Sequence, residues 1–503
     1  MRKKRLFYNT ASSLIFQIVN IICGFIVPRL ILQAYGSEVN GLTTSITRFL
    51  QIIAFLDMGV GAVVQSSFYK PLADNDHTLV SQVFSSADKF FRRLAEILLG
   101  YVVILLCFYP TLIAKGFPYL YTATLIVAIS VSFFAQYFFG MANKLLLYAD
   151  QRGYVEYIAH TVTVILNTIS CVILIHFKAP IQIVRMSTSV VFLLRPLVLR
   201  RYVIRHYAID RKIKYTGEPI KQKWNGLAQH IASVVLDDTD TIVLSMFSTM
   251  ASVSIYSVYH LVVYGVRNLF TVMTNGIQSM WGEMWAKEEK KELKQSFLFT
   301  EWLIHMGTVF VFGCMGCLIV PFVQVYTKGI EDANYVVPVF ACVISIAYGI
   351  HCLRLPYHIM IKAVGHYKQT QSNYIVAATA NILVSVLAVR QWGLVGVAIG
   401  TLCAMAYQTF WMAWYNATHI LSRPLHTFGQ LIFIDVLCSV ASSALSLQFR
   451  LSSITYSAWT LLAMKTAAVW MAVIILANFI FYRNNLMYLI RFSQNRDKRE
   501  KNH

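Results

Sequence analysis

MRKKRLFYNTASSLIFQIVNIICGFIVPRLILQAY, residues 1–35, opens with four basic residues and then runs mostly apolar for longer than a bilayer requires. A membrane-crossing helix needs roughly 20 predominantly apolar residues. The run from Asn9 to Tyr35 exceeds that and has no small-residue cleavage pattern, so it reads as a retained first span rather than a signal peptide. Similar runs recur along the whole chain. Of its 503 residues 57% are hydrophobic and 13% charged, with a mean hydropathy of +0.58. Those values exclude a soluble globular protein and make the bilayer the chain's principal partner.

Working outward from that first run, the length rule predicts spans over 9–35, 42–69, 94–114, 119–137, 154–177 and 181–199. A second six follow over 226–246, 253–284, 297–320, 334–360, 371–389 and 394–415, then two more over 428–447 and 459–481. The expected fold is an all-α polytopic membrane protein of about fourteen transmembrane helices. It comprises two pseudo-symmetric six-helix lobes around a central cavity, plus two C-terminal helices. The boundaries drawn are 1–199 for the first lobe, 200–224 for a basic linker, 225–421 for the second lobe, and 422–503 for the last two spans and a basic tail. Equal helix numbers on either side of the linker suggest an internal duplication of the kind transporters use.

The net charge of +20 would point to nucleic acid in a soluble protein, but here its placement decides otherwise. Arg2, Lys3, Lys4 and Arg5, the 200–223 segment, the Lys287–Lys294 loop and the 496–501 tail are basic, whereas alternate loops carry only scattered cations such as Lys115, Lys178 and Arg450. By the positive-inside rule the basic segments, both termini included, face the cytoplasm. No nucleic-acid partner is expected; the cations set topology and touch anionic lipid. The nine cysteines lie in apolar stretches. The Cys314 and Cys317 pair in VFGCMGCLIV, residues 311–320, reads as packing rather than redox or zinc chemistry, so no metal site is expected.

Charged side chains inside spans cost at least about 2.5 kcal/mol each and therefore mark partners, cavities or function. In the eighth predicted span Ser257, His260, Tyr264, Arg267, Thr271 and Asn275 recur at helical three-and-four spacing, which gathers them on one face. The second repeats the pattern with Thr44, Arg48 and Gln51. The first carries Ser13, Gln17 and Asn20, with Arg29 directly after Pro28, where a kink is expected. The seventh brings His230, Asp237, Asp238 and Asp240. One reading has Arg29, Arg48 and Arg267 converging on a hydrated central cavity that holds an anionic group, for which the permanently charged guanidinium fork is suited, with Gln17, Asn20, Gln51, Ser257, His260 and Tyr264 lining it. The competing reading pairs each Arg with an acid, caps a helix end with it, or lets it snorkel to the interface. Asp237, Asp238 and Asp240 are candidates either for a coupling cation, Na+ or H+, or for charge compensation.

Weaker cues are Arg354 near Pro356, and Asp435 with Lys465, for which mutual pairing is expected. Gly396 and Gly400 in GLVGVAIGT, residues 393–401, form a helix-packing pattern. The amphipathic stretch LVSQVFSSADKFFRR, residues 79–93, is expected on the cytoplasmic surface. No nucleotide-binding or zinc-protease motif is present, and DNDH, residues 74–77, is too slight for an enzyme centre, so neither enzyme activity nor a cofactor is expected.

The segments FIVPRLILQAYGSEVNGL (25–42), FLDMGVGAVV (55–64), LLLYADQRGYVEY (145–157), HIASVVLDDTDTIVLSMFSTMASVSIYSVY (230–259), AVGHYKQTQSNYIVAATANI (363–382) and GLVGVAIGT resemble, in order and spacing, those of bacterial polysaccharide repeat-unit flippases. These belong to the multidrug/oligosaccharidyl-lipid/polysaccharide exporter superfamily. The resemblance implies a bacterial inner-membrane flippase that moves undecaprenyl-pyrophosphate-linked oligosaccharides to the outer leaflet by alternating access. The product would be capsule, exopolysaccharide or O-antigen, with a polysaccharide polymerase and glycosyltransferases as partners. It also implies that Arg29, Arg48 and Arg267, on the first, second and eighth spans, handle the pyrophosphate. A multidrug/cation antiporter of the same superfamily and a membrane glycan polymerase or ligase are the alternatives.

Overall fold

A computed structural model describes residues 2–211, 213, 217, 219–220, 239–274 and 277–483. It is helical throughout, from Arg2–Gln51 to Tyr456–Phe481, with no strand among the described residues. Eleven helices there are long and apolar enough to cross a membrane. The chain is therefore an all-α, multi-pass membrane protein. Of the expected spans, 9–35 and the start of 42–69, Arg48 included, fall on the first of these helices, Phe7–Gln51, whereas 253–284 is not among the eleven and most of 226–246 lies outside the described residues.

The chain divides into two compact units, one formed by Met1–Ser257 with Gly329–Ala333, the other by Val258–Lys328 with Asn334–His503. In the first unit the break in the opening helix is not at Pro28. The backbone stays helical through Pro28, and the only non-helical residue inside Arg2–Gln51 is Gly36, at φ 82° and ψ 175°. Glycine adopts that conformation without a Cβ penalty. The helix restarts at Ser37, whose backbone N–H and hydroxyl donate to the Asp332 carboxylate at 2.6 and 2.7 Å. Asp332 thus supplies, from a distant loop, the N-terminal cap that the local sequence lacks. A Cβ at Gly41 would lie 1.8 Å from the Met250 carbonyl oxygen. That close approach is tied by Asn40, whose amide donates to Ser254 Oγ at 2.8 Å.

The stretch 79–93 is not a separate surface helix. It is the first half of one continuous helix, His77–Phe108, with Val80, Phe84, Ala87 and Phe91 buried. Asp76 of the DNDH sequence caps it, accepting from Leu79 N–H at 2.9 Å, and nothing interrupts it before the apolar half. The amphipathic pattern reports a face packed on protein, which periodicity alone does not separate from one packed on a membrane.

In the second unit Gly396 and Gly400 let the helix Leu394–Tyr415 press on Tyr367–Trp392: a Cβ would stand 2.3 Å from the Ala388 carbonyl oxygen and 2.1 Å from Ser385 Oγ. This is the small-residue packing expected from sequence. Cys314 is buried in an apolar cluster with Trp470, and Cys317 packs against it. Asp435 does not pair with Lys465. Its carboxylate meets His305 Nδ1 at 2.5 Å, while Lys465 is exposed on its own helix. His305 comes from Lys290–Tyr326, a helix in which the sequence reading singled out only the lysines at its start and the two cysteines.

Candidate functional site

The polar face predicted on the eighth span forms on the helix Met250–Thr274. Arg267 is 6% exposed, as is His260. The guanidinium carbon lies 4.5 Å from the Tyr264 ring centroid and 5.7 Å from that of Tyr348. His260 stacks on Tyr264 at 5.3 Å and meets Tyr348 edge-on at 5.8 Å. Two tyrosine rings thus hold a permanent cation by their electron-rich faces, an attraction that strengthens when water is excluded. Tyr264 is itself exposed, so the cluster has an open side.

Tyr348 belongs to Pro338–Leu353, and that helix contributes more than a ring. His351 and Arg354 follow at three-residue spacing, both buried, with Arg354 Nη2 and His351 Nδ1 3.0 Å apart. The sequence reading noted Arg354 only as a weak cue and missed Tyr348 and His351. The available signal was the Tyr348, His351, Arg354 spacing, which places all three on one helical face.

Arg48 and Gln51 are brought together: Arg48 Nη1 donates to Gln51 Oε1 at 3.2 Å, one turn along the same helix. Arg29 is half-buried ahead of the Gly36 break. Gln17 is half-buried and Asn20 exposed on that run. These residues belong to the first unit and Arg267 to the second. Ser257 Oγ donates to the Ser254 carbonyl at 2.7 Å and receives the Asn40 amide at 3.5 Å, so it serves the junction around Gly41. Asp240 is buried and accepts from the Tyr256 hydroxyl at 2.9 Å. Asp237, Asp238, His230 and Asn275 lie outside the described residues.

Two ion pairs and one arginine hydrogen bond were overlooked by sequence reasoning. Arg195 pairs with Glu156, which also accepts from the Tyr148 hydroxyl at 3.0 Å and has His160 Nδ1 at 3.7 Å. Arg423 binds Glu301 through two nitrogens, each at 2.5 Å, and the Tyr357 hydroxyl donates to the same carboxylate. Arg185 Nη2 donates to Thr43 Oγ1 at 2.9 Å. Glu156, Glu301 and their arginines were passed over because single charges flanked by apolar residues look like span edges in sequence.

A lipid II flippase, MurJ, in an inward closed conformation superimposes with a TM-score of 0.69 at 13% identity, covering 95% of this chain and 99% of MurJ. The chain has the MurJ fold. An inward-facing multidrug resistance MATE family transporter of the MOP superfamily gives a TM-score of 0.63 at 14% identity, over 80% of this chain and 95% of that one. A MOP superfamily transporter from Pyrococcus furiosus, noted for reverse polarity of its binding pocket, gives 0.51 at 13% identity, over 84% and 97%. No protein-family model and no curated protein sequence matches the chain.

Proposed function

We propose that this protein is a flippase that carries undecaprenyl-pyrophosphate-linked oligosaccharide repeat units from the cytoplasmic to the outer leaflet of a bacterial inner membrane. It works by alternating access, catalyses no covalent reaction, and supplies capsule, exopolysaccharide or O-antigen synthesis. The observation that carries the reading is Arg267: a guanidinium buried mid-helix among tyrosine rings, beside a second helix bearing His351 and Arg354. A pyrophosphate with attached sugars cannot cross hydrocarbon alone. The planar guanidinium fork suits a phosphate, and the ring faces fix its position. Arg48 and Arg29 are assigned the same role, and both termini are placed in the cytoplasm by the basic loops. Na+ or H+ is the proposed coupling ion, with the aspartates around Asp240 as its site, and the polymerase and glycosyltransferases of the same glycan are the proposed partners.

The test is Arg267→Ala and Arg48→Ala in a strain that makes the polymer. Surface polysaccharide should be lost while the protein inserts at normal levels and the lipid-linked intermediate accumulates inside. Normal surface polymer in both variants removes the assignment. The likeness to MATE transporters supports a second reading, a multidrug/cation antiporter. Sodium- or proton-coupled efflux of fluorescent cations, unaffected by Arg267→Ala and abolished by Asp240→Asn, would establish that reading instead.

A further inference from the structure

A groove in the first unit lies between the helices Gly153–His176 and Ile181–His206, the two helices that the Arg195–Glu156 pair also joins. It holds about 380 Å³, and its walls are almost wholly apolar: Ile158, Val162, Leu194 and Val198 line it, with Tyr154 at one end. Both helices are long and apolar enough to cross a bilayer, and all four aliphatic residues are exposed. Water would not fill such a groove favourably, whereas a hydrocarbon chain would.

What lies beyond its Tyr154 end gives the occupant a headgroup. From Leu194, the residues four, seven and eleven positions on are Val198, Arg201 and Arg205, which at 3.6 residues per turn return to one face of the helix. The groove wall therefore continues directly into two exposed arginines on the helix's last turns. Beside them Tyr154 and Tyr202 bring their hydroxyls within 3.4 Å of each other, and Arg152 Nη1 reaches Tyr202 Oη at 3.5 Å. Asp150 is occupied from three directions, by Arg5 at 3.1 Å, Arg152 Nε at 2.8 Å and the Tyr207 hydroxyl at 2.5 Å. One carboxylate thus faces two arginines, leaving Arg201 and Arg205 as further positive charge at the end of the apolar wall.

We propose that this groove is a binding site for a phospholipid with an anionic headgroup, one acyl chain lying along Ile158, Val162, Leu194 and Val198, and the phosphate against Arg201, Arg205 and the Tyr154 and Tyr202 hydroxyls. The charge sign selects anionic over zwitterionic lipid, and the apolar wall distinguishes a bound lipid from a merely basic loop. The site is separate from Arg267, so it stands whether or not the transport reading does.

The experiment uses the full chain purified in detergent and exchanged into mixtures of phosphatidylglycerol and phosphatidylcholine, with retained lipid counted by native mass spectrometry and thermal unfolding followed in parallel. Phosphatidylglycerol should be retained about tenfold over phosphatidylcholine. Arg201→Gln with Arg205→Gln should abolish that preference, and Arg201→Lys with Arg205→Lys should restore most of it. Val162→Trp, which fills the groove, should release both lipids and leave the arginines untouched. Equal retention in the wild type and the double Gln variant would overturn the proposal. So would an unchanged phosphatidylglycerol count in Val162→Trp, because the basic residues would then be acting without the groove. Retention of a polyprenyl phosphate in place of phosphatidylglycerol would assign the groove to a substrate tail and also overturn it.

Discussion

Two buried cations in the second unit, Arg423 and Arg267, sit in opposite surroundings. Arg423 grips Glu301 with two nitrogens, and Tyr357 donates to the same carboxylate, with Glu301 1% and Arg423 7% exposed. Burial works to lower the Arg423 pKa, and the hydrogen bonds and charge of Glu301 more than offset it, so the guanidinium titrates above its ordinary value. Arg267 is as deeply buried but rests on the Tyr264 and Tyr348 rings, with His351 and Arg354 on the neighbouring helix. The first arrangement is a carboxylate pair; the second is built on ring faces. A buried charge is thus no mark of function by itself: its partners decide.

The sharpest way to break this contrast is Arg423→Ala, which strands the Glu301 carboxylate in a dry site. Removing one member of a buried ion pair costs about 3–5 kcal/mol, so Arg423→Ala should unfold early in a thermal melt and insert poorly. Arg267→Ala should melt close to the wild type. If both melted equally early, Arg267 would be as structural as Arg423 and the distinction would fall.

Next in size is Asp435→Asn, which weakens the charge-assisted bond to His305. A loss of about 1.5–3 kcal/mol is expected from hydrogen bonds of this kind, read as a lowered melting temperature without loss of surface polymer. Loss of polymer at normal stability would move this pair from the structural to the functional side of the comparison. The smallest change is Tyr264→Leu, which removes one ring from Arg267 and should cost about 0.5–2 kcal/mol. It should reduce export partially and more than it reduces stability; equal export would show that the ring face does not orient the guanidinium.

Legibility in the sequence followed the range of the interaction. The helices of 119–137, 371–389 and 394–415 were readable because a span needs only local apolarity over its own length. The polar face of Ser257, His260, Tyr264 and Arg267 was readable because helical spacing is local too. The Asp435 partner was misread, since Lys465 was chosen by charge complementarity while His305, on a helix 130 residues away, supplies the contact. Residues 79–93 were not read as the first half of the long helix His77–Phe108, because an amphipathic stripe is the same whether protein or headgroups cover it.

Composition and basic-residue placement, which are sums over the chain, were enough to determine a polytopic helical membrane protein. Only the tertiary structure decided that Gly36 rather than Pro28 breaks the first helix, through an Asp332 cap nearly three hundred residues on, and that Glu301 neutralises Arg423 while tyrosine rings hold Arg267. Hydrophobic transfer is additive and local enough to be read residue by residue, whereas the pairing of buried charges depends on which helices the packed chain sets side by side.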